Sequence, residues 1–229
     1  MKRLTLIFVL LAFCVPPLAA ETQLEKATNV VNEIMGTPDN GIPSDLLNRA
    51  VCVGIVPSQL KGAFIVGGSY GRGVLICRKG GNGEWGAPSM FTLGGASVGF
   101  QIGGKATDVV FIVMNPDGAK KLVQDSVKLG GEASVAAGPV GRSAEGATDV
   151  QLHAEILSYS RTRGLFAGVS LDGAMVKQDR DDNAQLYGQR ISARDILIKG
   201  AVPPPAAAAP LDKVLMRYSP KGGQSFGSM

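Results

Sequence analysis

Fifteen of the chain's 31 glycines fall between residues 51 and 104. No helix runs comfortably through that density, because each glycine costs about 1 kcal/mol relative to alanine. Short runs rich in β-branched and aromatic residues lie between the glycines, at 51–56, 63–66, 74–78, 90–93 and 97–102. With Gly, Pro or Asn at the breaks, the stretch predicts a meander of antiparallel strands joined by tight turns.

The flanks add helices to this sheet. Leu24, Ala27, Val30, Val31 and Ile34 recur at helical spacing, opposite Glu25, Lys26, Asn29, Asn32 and Glu33, so an amphipathic helix is expected up to Gly36. It is expected to pack on the sheet, with lying on lipid as the alternative. Ser44 caps a second short helix over 45–50. Residues 109–114 read as a buried strand, and Asn115-Pro116 opens a helix over 117–129 that Gly130-Gly131 ends. Strands follow at 133–138, 151–162, 164–171 and 174–178, then helices at 179–188 and 193–199. The predicted class is α+β: one domain over residues 21–200, with a curved antiparallel β-sheet, open or barrel-like, and short flanking helices. Residues 201–229, opening with AVPPPAAAAP, are expected to be a poorly ordered tail in which 211–218 can dock locally.

Residues 1–20 have the three parts of a secretory signal peptide: Lys2-Arg3, an apolar run over 4–15, and PPLAA, with cleavage expected after Ala20. The run is shorter than the roughly 20 residues of a membrane span. Phe13 before Cys14 disfavours a lipobox. The chain is therefore expected to be exported, to the periplasm or beyond, and peripheral to a membrane if bound to one. Cys52 and Cys77 are then the remaining cysteines. In an oxidising compartment they read either as a disulfide or as two buried thiols, and spacing does not choose between them.

Several catalytic strings fail their context. Gly67-Gly68-Ser69-Tyr70-Gly71 matches a hydrolase elbow, with His153 and Asp149 or Asp125 as conceivable partners, but a strand follows it where a helix is required. Ser58-Gln59-Leu60-Lys61 has no S-D-N partner. The string GFQIGGK at 99–105 is followed by Ala106, where a phosphate loop needs Ser or Thr. The acidic run at 179–183 lacks the glycine and the terminal glutamate of a calcium loop. One histidine offers no transition-metal cluster, and no cofactor is expected. A formal charge of +4, two units of it in the leader, is too small for a nucleic-acid reader.

What remains is a set of cations at turns: Lys61, Arg72, Arg78, Lys79, Lys105, Arg142, Arg161 and Arg163. Beside glycine-rich turns such cations can hold a phosphate headgroup. The motifs Ile55-Val56-Pro57, Lys61-Gly62-Ala63-Phe64, Gly67-Gly68-x-x-Gly71-x-Gly73, Trp85-Gly86-Ala87-Pro88, Gln101-Ile102-Gly103-Gly104, Ala137-Gly138-Pro139-x-Gly141-Arg142, Ser158-Tyr159-Ser160-x-x-Arg163-Gly164-Leu165-Phe166 and Asn183-x-x-x-Tyr187-Gly188 occur in order. Together they resemble the SYLF domain family over residues 24–200.

That resemblance implies non-catalytic lipid binding: phosphoinositides in eukaryotic members, actin as well in some fungal ones, and lipid without established enzyme activity in secreted bacterial ones. The leader, and the lack of an SH3 or FYVE module in this sequence, favour a bacterial anionic phospholipid as the partner. Lys61, Arg72, Arg142 and Arg163 lie within matched motifs and are the expected headgroup residues. The alternative is a surface-interaction protein that uses the same patch on a protein or glycan. A serine hydrolase using Ser69 ranks last.

Overall fold

In the described part of the glycine-rich stretch the first four expected strands form three long ones, β1 (Cys52–Phe64), β2 (Val66–Cys77) and β3 (Ser89–Ser97), while the fifth, expected over 97–102, lies beyond Ser97 outside the described residues. Pro57-Ser58 is a bulge inside β1, and the chain does not turn there. The β1 register slips on both flanks at this point, and Ser58 takes φ 52° while its N–H donates to Asp108 Oδ1 at 2.9 Å. Two glycines act as seats for cross-strand aromatic rings. A Cβ on Gly54 would lie 2.1 Å from the ring of Phe111 opposite it, and one on Gly73 would lie 2.5 Å from Phe91. The two rings then meet edge to face at 5.6 Å.

The computed structural model describes residues 19–36, 41–64, 66–97, 105–141, 153–162, 165–220, 222 and 226. Beyond the meander come β4 (Lys105–Val113), β5 (Ser126–Lys128), β6 (Val135–Ala137), β7 (Ile156–Thr162), β8 (Leu165–Gly168) and β9 (Met175–Gln178). They complete one curled nine-stranded sheet in the order β5-β9-β3-β2-β1-β4-β7-β6, with β8 also on β7. The α+β single domain is as expected. The sheet is mixed, however, because β6 runs parallel to β7.

The described helices are α1 (Ala19–Met35), α2 (Ser44–Arg49), α3 (Pro116–Leu122), α4 (Arg180–Tyr187), α5 (Ala193–Leu197) and α6 (Ala209–Tyr218). The helix expected over 117–129 stops at Leu122. Asn115 caps its start at Gly118 N, 2.8 Å away, and Ser126-Val127-Lys128 alternate exposed, buried, exposed as an edge strand on β9.

Each sheet face has its own core. Val53, Ile55, Val74, Ile76, Val110, Ile112 and Tyr159 face α1 and α6, whereas Cys52, Leu75, Phe91, Phe111 and Val176 pack with residues of α3 and α5. The apolar stripe of α1 (Leu24, Ala27, Val30, Val31, Ile34) is buried in the first of these, so the helix packs on the sheet and is not free to lie on lipid. In the C-terminal segment, expected to be a poorly ordered tail in which 211–218 can dock locally, α6 (Ala209–Tyr218) does dock. Leu211, Val214 and Leu215 of α6 are buried in the same core, which shares residues with α1. The prolines place the chain so that this apolar face meets α1, a long-range contact that local composition does not reveal.

Candidate binding face

Antiparallel pairing aligns two rows of side chains at the β2–β3–β9–β5 end of the sheet. One row is Arg72, Thr92, Lys177 and Ser126, and the next is Tyr70, Gly94, Met175 and Lys128. Directly opposed residues share a face, and Arg72 lies two residues from Val74 on the α1 side. Helix α1 covers Val74 and reaches as far as Arg72, whose carbonyl accepts from Gln23 Nε2 at 2.5 Å. Past that point the face is open: Tyr70 is 54% and Met175 42% exposed. A cleft of about 560 Å³ runs alongside, lined by Tyr70, Thr92, Asp125, Lys177, Arg180 and Asp181 among others.

The charges of this face divide into paired and unpaired. Arg72 Nη1 lies 3.4 Å from Asp182 Oδ2. Its pKa is raised by a hydrogen bond with Tyr70 and by Asp182. Burial and the nearby Asp179 push the Asp182 carboxyl above its ordinary range, against the pull of Arg72. Arg180 meets Asp125 at 2.5 Å and draws that carboxyl below its ordinary range. Lys128 and Lys177 are exposed, and neither forms a salt bridge with another described residue, although the Lys177 charge adds to the lowering of the Asp125 carboxyl. An exposed aromatic, a thioether and two unpaired ammonium groups therefore share one uncovered surface.

Of the four expected headgroup residues, Arg72 alone is placed with its side chain, on this face and half-occupied by Asp182. Lys61 sits in β1 opposite Ser69 and Lys105, with its side chain outside the description. Arg142 and Arg163 lie outside the described residues. Cys52 and Cys77 are directly opposed in β1 and β2 and form a disulfide, buried under α5 and its neighbours.

Two other turn cations are not available to a ligand. Arg78 is fully buried, bonding the carbonyls of Ala50, Gly83 and Ser219 and the Ser219 hydroxyl, with its guanidinium 4.1 Å from the Trp85 ring centroid. Burial lowers its pKa to about 10, so it stays cationic at neutral pH. Arg161 is tied to Glu33 of α1 and to Asp108. Sequence reading passed over Tyr70, Met175, Lys128 and Lys177. The alternation Tyr70-Gly71-Arg72-Gly73-Val74 carried part of the signal, but the pairing of β9 with β3 is not written locally.

The hydrolase constellation is not assembled. Ser69 lies within β2, its Oγ donating to Gly95 O at 3.4 Å, and no helix follows it. His153 lies before β7 at the opposite end of the sheet: Ser69 is level with Lys61 and Lys105, whereas β7 begins opposite Val113, eight residues further along β4. Asp125 is engaged by Arg180, and Asp149 lies outside the described residues. Among the described residues no group of three or more His, Cys, Asp or Glu could hold a metal ion, and no helix is long and apolar enough to cross a membrane.

Comparison with known proteins agrees with the motif order. Residues 94–218, more than half of the chain, match the family model described as "Ysc84: Las17-binding protein actin regulator". The chain is 36% identical over 220 residues to LAS seventeen-binding protein 3 of Saccharomyces cerevisiae, covering 90% of this chain and 47% of that protein. It is 35% identical over 208 residues to Protein YSC84 of the same organism, covering 87% of this chain and 44% of that one. SH3 domain-containing YSC84-like protein 1 of Homo sapiens is 34% identical over 212 residues, covering 90% of this chain and 61% of that protein. The chain thus spans about half the length of the yeast relatives it matches; the first of these is named for binding, and the family model for binding and regulation. Ordered motifs, a family model over most of the sheet and relatives matched along nearly the whole length place this chain in the Ysc84 (SYLF) family.

Proposed function

We propose that this protein is an exported, non-catalytic lipid-binding protein that holds an anionic phospholipid surface on the open β2–β3–β9–β5 face. The observation that carries the reading is the grouping of Tyr70 and Met175 with the unpaired Lys128 and Lys177. Tyrosine and methionine suit the boundary between headgroup and acyl chain, while each lysine near an anionic surface contributes about 1 kcal/mol. Arg72 adds charge where a phosphate can compete with Asp182. Cleavage after Ala20 shortens α1 by its first two residues and leaves its apolar stripe intact. Export into an oxidising compartment suits the Cys52–Cys77 bond.

Vesicle flotation tests the reading. The protein is expected to float with vesicles containing phosphatidylglycerol and not with neutral ones. Lys128→Gln/Lys177→Gln is expected to weaken binding by about 30-fold, from two contributions of about 1 kcal/mol. Unchanged flotation of that variant removes the assignment of this face.

A second reading has support of its own, since relatives are named for binding a protein partner. On that reading the same face docks a protein, and the wild type ignores vesicles of every composition. Lipid extraction and mass spectrometry of the purified protein separates the two.

A further inference from the structure

Three aspartates, Asp179, Asp181 and Asp182, crowd the turn where β9 runs into α4. The first caps the helix, its Oδ1 accepting from the Asp182 N–H at 3.0 Å, and the second is exposed. Asp182 is different. Its side chain is only 8% exposed, and the cation it faces is Arg72 of β2, itself 50% exposed on the open face. The charged groups that act on the Asp182 carboxyl are Arg72, Asp179 and Asp181. Of the elements packed most closely on α4, β3 holds no titratable residue, and α1 brings the uncharged Gln23 to the Arg72 backbone while Glu25 and Lys26 are exposed.

The two partners differ in what they can do without each other. Their contact of 3.4 Å is longer than the roughly 2.7–2.9 Å of a charge-assisted hydrogen bond. Arg72 stands in the row with Thr92 and Lys177, so an oxyanion can reach its guanidinium from solvent. Asp182 has no such replacement. A buried carboxylate that loses its cation, with two more aspartates beside it, is strongly destabilised as an anion and takes up a proton instead. Even with Arg72 in place, burial and those neighbours already hold this carboxyl above its ordinary range.

We propose that the Arg72–Asp182 pair is a proton-operated latch on this face: a phosphate-type oxyanion takes the Arg72 guanidinium as Asp182 takes a proton from solvent. In acid the carboxyl is neutral and Arg72 is free for the ligand. Toward neutrality the carboxylate holds the guanidinium back, and Lys128 and Lys177 carry the binding. Linkage makes the effect reciprocal, so a bound anion raises the pH at which Asp182 releases its proton. The latch deepens the anionic-surface reading and rests on it for its natural ligand, but its chemistry needs no lipid.

Sulfate in lipid-free buffer is therefore the probe, since it resembles a phosphate and keeps its charge across the mildly acidic and neutral range. Its binding to the full chain is followed at constant ionic strength through the Arg72 Nε–H resonance, and the Asp182 carboxyl carbon is titrated by NMR with and without it. Wild-type affinity is expected to be level below the Asp182 midpoint and to fall by up to about tenfold per pH unit above it, as uptake of one proton requires. Sulfate is expected to move that midpoint upward, and Asp182→Asn to keep the acid-side affinity at every pH. A wild-type affinity that ignores pH, or a midpoint that sulfate leaves in place, overturns the proposal with no variant needed. Failure to float with vesicles while this linkage holds counts against the lipid reading alone, and flotation without the linkage counts against the latch alone.

Discussion

Arg78 is buried without a carboxylate beside it, and its charge is answered by three carbonyls, one hydroxyl and an indole face. Removing it leaves those acceptors dry and opens a cavity under Trp85. Arg78→Ala is therefore expected to cost about 3 kcal/mol or more in urea unfolding, with Arg78→Lys recovering only part of it, since an ammonium lacks the planar fork. Asp182 makes a prediction in pH. Its folded pKa lies above the ordinary 3.8, so the folded chain holds a proton that the unfolded chain has already released. The associated stability is fully present below the ordinary value and is lost as pH rises through the raised one. Asp182→Asn is expected to gain on the parent as pH is raised from acid toward neutrality, and parallel unfolding curves at all pH values would contradict this. From sequence, Arg78 and Arg72 are alike, cations flanking the same apolar run, Val74 to Cys77, in a meander. What separates them is which side of the sheet edge the C-terminal chain crosses, and that is set by residues 141 positions away in the case of Ser219.

At the scale of elements, local patterns reported what local forces decide. The cap at Asn115, the left-handed Gly188 that ends α4 (φ 68°), and the stripe of α1 all appear where their residue types place them. The failures came where a distant partner overrode a local signal. Pro57 reads as a turn but sits in a bulge, because Asp108 on β4 supplies the acceptor that the Ser58 N–H needs. The 201–229 segment reads as a tail because it opens on the proline-rich AVPPPAAAAP, yet Leu211 and Leu215 are buried in the core that α1 shares with the sheet. Leu215→Ala is expected to cost about 2–4 kcal/mol, which a dangling tail would not show. The open face was legible only through Arg72, because the lysines and methionine beside it arrive on β9 and β5.

On the scale of the whole molecule, the disulfide ties β1 to β2 at the head of the meander, across a sequence separation of 25. Chain-entropy arguments give such a closure about 3.5 kcal/mol, so Cys52→Ala/Cys77→Ala is expected to lower unfolding stability by about 2–4 kcal/mol without changing the fold. Vesicle binding, if it uses the exposed lysines, is expected to decline as salt is raised, since the screening length falls from about 8 Å at physiological strength to about 3 Å at 1 M. Binding that ignores salt would point to an enclosed apolar site instead. The contact of α1 with α6 has a consequence for biogenesis. Of the described helices α1 is made early and α6 late, so the core face they share cannot close until residues 209–218 have emerged, and a chaperone that shields Leu24 to Ile34 in the interval would find a ready client.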